Sequence, residues 1–399
     1  MVARAALRRE WIRSRQRTDE LFRRVAPEAL YARPIPERHR LIFYLGHLEA
    51  FDWNQMARGA LGEASFHPEF DRLFEFGIDP PVGQTPQDQP WDWPAVREVE
   101  GYNAEVRKRL EALLDQVPEE RVHVAIEHRD MHAETFVYLL QNLAPAQKVA
   151  PSVAEVAPGA AEAPANPLTP VTAGAVTLGR RRGDGFGWDN EFEEMRVEVP
   201  AFAMQRYKVT NGEYLRFVSD GAAPPHFWRG EAGKWRLQTL WGEIDLPLDW
   251  PVYVTQREAA AYARWRGLEL PTEAQFQRAA YGSADGATET DPDPARGNFD
   301  FRHSDPLPVT AHAGGNAFGL AQMVGNGWEW TSTVFGPLPG FEPFSFYPGY
   351  SAAFFDGQHY VLKGASAHTA ARLTRRSFRN WFRPDYPYVF AGFRCVENR

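Results

Sequence analysis

The sequence predicts two folded parts of different class, a helical N-terminal half followed by an irregular α+β C-terminal half. Three observations carry this. Residues 2–143 read as helical, with apolar side chains three and four apart in four segments, the period that covers one face of a helix. Residues 145–173 are rich in Ala, Pro and Val and hold no aromatic residue, the composition of a semi-rigid linker. From Gly174 onward, short apolar runs alternate with glycine turns, and most of the 13 tryptophans lie there, from Trp188 on. At 399 residues the chain exceeds the usual size of a single core, so the expected division is 1–144 helical bundle, 145–173 linker and 174–399 α+β domain.

In the first half the pattern places helices at 18–25, 41–58, 93–117 and 119–143, with Thr18 as an N-cap ahead of Leu21 and Phe22. Four such helices make a four-helix bundle, whose interior is a common place for metal ligands from facing helices. In the second half, helices are expected at 257–266 and 272–280. Thr272 and Gln275, three apart and preceded by Pro271, form a capping box. No repeat of 20–50 residues is present.

The net charge of -8 is spread along the chain without a basic stripe, which argues against a nucleic-acid partner. No apolar run approaches the roughly 18 residues that span a bilayer, so no membrane partner is expected. The Arg-rich start lacks the apolar core of a signal peptide, and the lone Cys395 cannot form an internal disulfide. A cytoplasmic location follows as the expectation. Oligomeric state is not legible.

The run Glu127-His128-Arg129-Asp130-Met131-His132-Ala133-Glu134 carries the chemistry. Residues four apart on a helix project from one face, so His128 and His132 can share one metal ion without distorting the backbone. Apolar residues on both sides, with no Pro or Gly, make the segment an amphipathic helix. The spacing alone fits a metal pair or two histidines on a solvated helix face.

Five blocks then stand in order: Gly187-Trp188-Asp189-Asn190-Glu191, Tyr207-Lys208-Val209-Thr210-Asn211-Gly212-Glu213-Tyr214, Leu270-Pro271-Thr272-Glu273, Val324-Gly325-Asn326-Gly327-Trp328-Glu329-Trp330-Thr331 and Ala391-Gly392-Phe393-Arg394. Together they resemble the formylglycine-generating-enzyme-like (sulfatase-modifying factor) domain, whose fold is related to C-type lectins. The first half, with Leu45-Gly46-His47-Leu48 and the histidine motif, resembles a DinB-like bundle. The pairing resembles the EgtB/SenA family of nonheme iron synthases that modify hercynine (trimethylhistidine).

That resemblance implies Fe(II) held by His47, His128 and His132, with O2 as co-substrate. Three neutral imidazoles would leave the ion its full charge and open positions for substrate and O2. Glu134 is the rival ligand, but two residues beyond His132 it points roughly 200° away around the helix. A bundle of histidines also suits zinc or nickel, and the attached second domain favours iron.

The resemblance places Asn380 beside hercynine's trimethylammonium, with Trp381 offering an aromatic face to a cation that donates no hydrogen bond. Met131 stands where sulfoxide synthases usually have Gln. Tyr350 matches the active-site tyrosine, a proton or hydrogen-atom donor, with Tyr347 as competitor. Arg376, with Arg379 and Arg383, would meet the hercynine carboxylate or else pair with Asp385.

Sulfoxide synthases that take γ-glutamylcysteine or cysteine carry arginines between the first metal histidine and the third helix, clamping a carboxylate. Residues 79–93 here contain none. Gln84, Gln87, Trp91 and Trp93 suit a polyhydroxylated ligand, so the expected donor is a selenosugar (the SenA branch, selenoneine biosynthesis), with a thiol (ergothioneine biosynthesis) as the alternative. Formylglycine generation would need a pair of reactive cysteines, and the chain has one.

Overall fold

Among the described residues, apolar spacing in the first half becomes six helices: α1 (Val2–Phe22), α2 (Leu41–Asp52), α3 (Gly59–Leu61), α4 (Pro68–Leu73), α5 (Val96–Leu113) and α6 (Glu119–Gln141). The computed structural model describes residues 2–75, 84–152, 159, 162–231, 233–293, 296–312 and 315–398. They divide into two units, Met1–Val153 and Ala154–Arg399.

In the first unit α1 packs along α6 and α2 along α5. A π-helical stretch, Trp53–Arg58, joins α2 to α3, which ends at Gly62 with φ 74. The helix expected from Thr18 instead begins at Val2. Its buried stripe, Leu7, Trp11, Ser14 and Thr18, is thin and diluted by arginines, which hides it in the sequence. Thr18 caps nothing: its hydroxyl donates back to the carbonyls of Ser14 (3.4 Å) and Arg15 (2.9 Å).

Between these helices lies a buried ionic cluster. Arg129 is 1% exposed and reaches Asp52 (2.9 Å), Glu49 (3.1 Å) and the Leu48 carbonyl (2.9 Å). Arg15 and Arg107 also contact Glu49, at 3.0 and 2.7 Å, and Trp11 Nε1 donates to Asp52 at 3.2 Å. Four helices are thus fixed to one another directly beside the histidine positions. Burial works against both acids. At Glu49 the attraction of Arg129, Arg15 and Arg107 overcomes it and holds the pKa down to about 2. At Asp52 burial prevails and the pKa is raised.

The segment expected as linker is structured at both ends. Val25 and Lys148 form a bridge, and Val149 N donates to Arg24 O at 2.8 Å, tying 148–149 to the helical unit. Residues 168–171 form β1 of the second unit. Pro170 lies in this edge strand, where a missing N–H is tolerated, so the Ala-, Pro- and Val-rich composition that reads as linker is compatible with a strand here.

The second unit holds β1 (Leu168–Val171), β2 (Gly174–Leu178), β3 (Met195–Val199), β4 (Phe202–Gln205), β5 (Trp228–Arg229), β6 (Arg236–Gln238), β7 (Glu243–Asp245), β8 (Gly327–Val334), β9 (Tyr360–Ala365), β10 (Asn380–Phe382), β11 (Ala391–Gly392) and β12 (Val396–Asn398). They assemble as β1-β4-β12, β10-β9-β8-β11, β2-β3 and β5-β6-β7. β10 pairs antiparallel with β9, placing Asn380 opposite Leu362 and Trp381 opposite Val361. Helices α7 (Asn211–Ser219), α8 (Gln256–Trp265) and α9 (Glu273–Tyr281) each open with a capping box, from Thr210, Thr255 and Thr272. The fold is therefore a helical unit followed by an α+β unit, as the sequence predicts. Among the described residues no helix is long and apolar enough to cross a membrane.

Candidate metal centre

His47 comes from α2, and His128 and His132 from successive turns of α6. One ligand atom from each lies within 4.8 Å of the others, and no further group of three His, Cys, Asp or Glu with this property occurs among the described residues. Glu134 is buried but is not in the group. His47 Nε2 and His128 Nε2 are 3.3 Å apart. That matches the ~3.0–3.4 Å expected between neighbouring ligand nitrogens held ~2.1 Å from one ion.

Burial makes the donors available. It lowers the pKa of His47 to about 4, against a smaller opposing contribution from the Phe74 carbonyl. Burial also holds His128 and His132 well below the usual histidine range, with the neighbouring histidines adding to the effect. All three are neutral at pH 7, so their ring nitrogens have lone pairs for a cation. A centre made only of imidazoles fits a borderline transition-metal ion better than magnesium or calcium, which prefer oxygen.

Each ring is oriented by its surroundings. His47 Nδ1 donates to the Phe74 carbonyl at 2.7 Å, which puts the lone pair on Nε2. Phe43 stacks on His47 (centroids 4.8 Å, 20°) and Phe51 on His128 (3.5 Å, 9°). Phe74 approaches α2 because residue 46 is glycine: a Cβ there would lie 2.6 Å from the Phe74 ring. Among the described residues, Nδ1 of His128 and of His132 is buried without a hydrogen-bond partner, so packing chiefly orients these two rings. Sequence reasoning missed Phe43 and Phe51, and it quoted Gly46 without its packing role against Phe74. The i, i+4 series Phe43, His47, Phe51 was the available signal.

The other predicted residues divide into three groups. Met131 is half-buried between the two histidines of α6. In the 84–93 loop, Gln84 and Gln87 are exposed, and Gln87 Nε2 donates to the Thr85 carbonyl at 2.8 Å. Trp91 is 78% exposed. Trp93 points inward, donating to Asp88 (2.7 Å) and lying against Phe43 and Phe74. Asp88 is also bound by Arg40 (3.0 Å) and Arg33, so arginines do reach this loop from the segment before α2, but its own carboxylate occupies them. Asp79 to Gly83 lie outside the described residues.

In the second unit Tyr350 is buried, stacked on Trp188 (3.9 Å, 21°) and edge-on to Trp381 (5.4 Å, 81°), with Tyr347 at 5.7 Å. Trp188 belongs to the first of the five sequence blocks. Trp381 has Phe335 stacked on its ring (4.3 Å, 6°) and Phe354 tilted against it (5.6 Å, 50°). Asn380 Oδ1 accepts from the Trp381 backbone N–H at 2.9 Å. Arg376 is engaged by Asp291 (2.7 Å) and Glu289 (3.0 Å), so a substrate carboxylate would compete with two acids for it. Arg379 is buried on Glu273, and Asp385 pairs with Arg257, which removes Asp385 as the partner of this arginine cluster.

Residues 153–399 match the Sulfatase-modifying factor enzyme 1-like domain and residues 10–144 the DinB superfamily. A hercynine oxygenase of Mycolicibacterium thermoresistibile is 33% identical over 74% of this chain and 73% of that protein. Ergothioneine biosynthesis protein 1 of Neurospora crassa is 28% identical over 95% of this chain and 56% of that protein. Its counterpart from Schizosaccharomyces pombe is 28% identical over 98% of this chain and 55% of that protein. The chain thus spans about half the length of these two fungal relatives.

Proposed function

Because the chain belongs to the hercynine oxygenase (EgtB) family, we propose that it is an iron(II)- and O2-dependent synthase that joins a sulfur donor to the imidazole C2 of hercynine. The observation that carries this proposal is the convergence of three neutral imidazoles from two helices. Iron(II), when bound, would supply the one-electron chemistry that lets O2 react with a closed-shell substrate.

The chain's own residues do the rest. His47, His128 and His132 would hold the ion without neutralising its charge, leaving positions for small ligands. Asn380 Oδ1 and the aromatic ring of Trp381 would receive the trimethylammonium, which offers no donor of its own. Tyr350, buried and flanked by Trp188 and Trp381, would hold a proton on its phenol oxygen and release it during turnover. Protein oxidation of the formylglycine type does not fit: Cys395 is buried, its thiol pKa is pushed up by that burial, and it has no second cysteine.

Relatives named for hercynine and ergothioneine support the sulfur donor over the selenosugar expected from the loop. One observation favours the selenosugar as a second reading: the arginines beside the loop, Arg33 and Arg40, are already paired with Asp88, and Trp91 presents an exposed ring suited to a sugar face. The test offers iron-loaded protein, O2 and hercynine with γ-glutamylcysteine, cysteine, a thiosugar and a selenosugar side by side, with products read by mass. Faster turnover with a thiol supports the sulfoxide synthase. Preference for the selenosugar transfers the assignment to the selenoneine branch, and no hercynine product with any donor overturns both.

A further inference from the structure

We propose that Trp93 is a positioning residue for the metal ligand His47, so that the 84–93 loop and the metal centre behave as one mechanical unit. This rests on the metal centre proposed above. The contacts form a continuous path. At one end, Trp93 Nε1 donates to Asp88 Oδ2 (2.7 Å), and the same oxygen accepts from Arg40 Nε (3.0 Å). Arg40 further donates to the Asp88 carbonyl (2.9 Å) and Arg33 to the Pro86 carbonyl (2.8 Å). These bonds fix the loop backbone as well as the carboxylate.

At the other end, the Trp93 ring touches both groups that orient His47. It lies edge-on to Phe43 (6.0 Å, 71°), the ring stacked on the imidazole. It lies nearly parallel to Phe74 (6.1 Å, 27°), the residue whose carbonyl accepts the His47 Nδ1 proton. Phe74 is fully buried and seated against Gly46, so it cannot relax toward α2 if Trp93 is removed. Its freedom is toward the vacated indole, which draws the carbonyl away from His47. Groups that hold a ligand imidazole by its second nitrogen set both tautomer and ring angle. Trp91, two residues earlier, faces solvent and shares none of these contacts among the described residues. The paired tryptophans therefore divide the work: one faces outward, and the other holds the ligand shell.

The experiment is an anaerobic Co(II) titration of the full-length protein, read by the visible d–d absorption, which reports ligand number and geometry. Wild type should bind one Co(II) with an affinity that collapses in His47→Ala. Trp93→Ala should weaken Co(II) binding by about 10–100-fold and change the d–d bands. Trp93→Phe keeps a ring against Phe43 and Phe74 and should recover most of the affinity and the wild-type bands, whereas Trp91→Ala should leave both unchanged. If Trp93→Ala does not fold by circular dichroism, Asp88→Asn serves instead: it retains every ring, frees the loop, and should weaken binding by several-fold, on the order of the lower end of that range. A folded Trp93→Ala with wild-type affinity and spectrum, or a Trp91→Ala that shifts as much as Trp93→Ala, overturns the positioning role. A wild type that binds no Co(II), or binds it independently of His47, sinks the metal centre itself, so the two failures are distinguishable.

Discussion

Arg129→Met removes the hub of the buried ionic cluster while roughly preserving side-chain length. Arg129 is 1% exposed and touches two carboxylates, Asp52 and Glu49, and one carbonyl. Glu49 keeps Arg15 and Arg107, but Asp52 is left with Arg15 at 3.6 Å and the Trp11 indole. Stranding a buried charge typically costs about 3–5 kcal/mol. At about 2–4 °C per kcal/mol for a unit of this size, the Tm of the helical unit should fall by about 6–20 °C. The pH dependence has a definite sign. The Glu49 pKa is depressed to about 2 in the folded protein, so its stabilisation is present above the ordinary carboxylate pKa and is lost as pH falls through about 2. Removing Arg129 weakens that depression, and protonation relieves the stranded Asp52. The Tm gap between wild type and variant should therefore be widest above about pH 5 and narrow toward pH 3. Thermal melts at 222 nm across this range check it. A gap that is absent at pH 7, or that widens in acid, would refute the view that Arg129 holds these two acids together.

Gly46→Ala puts a Cβ 2.6 Å from the Phe74 ring. Overpacking of this kind costs about 1–3 kcal/mol, and the displaced carbonyl should weaken Co(II) binding while His128 and His132 remain in place. Equal Tm and equal affinity would show that Phe74 yields freely. Tyr350→Phe should leave iron content unchanged and lower kcat by about 10²–10⁴-fold, or divert the product, if the phenol proton is used in turnover. Wild-type kinetics would remove Tyr350 from the chemistry.

Much of the architecture is legible in the chain because it is local. The i, i+4 pair His128 and His132 and the capping box at Thr272 each depend on a few neighbouring residues, and both stand in the structure as read. The capping pattern Thr210 to Glu213 carried the same signal for α7 and went unread. What escaped depends on distant chain meeting distant chain. Nothing near Arg33 or Arg40 reveals that Asp88 occupies them, and nothing near Phe74 marks its carbonyl as the acceptor for His47, 27 residues earlier. The role of Thr18 was misread because a Thr before two apolar residues looks the same at a helix start and in a helix's last turns. The start of α1 at Val2 and the donation of the Thr18 hydroxyl back to the Ser14 and Arg15 carbonyls distinguish the two, and neither is visible from the residues around Thr18.

The most direct measurement is iron stoichiometry after anaerobic reconstitution, made on wild type and on His47→Ala, His128→Ala and His132→Ala, with hercynine turnover followed in the same samples. One iron per wild-type chain, lost together with turnover in each variant, is the expected result. Iron retained in the variants, or hercynine consumed by iron-free protein, would contradict the trihistidine centre.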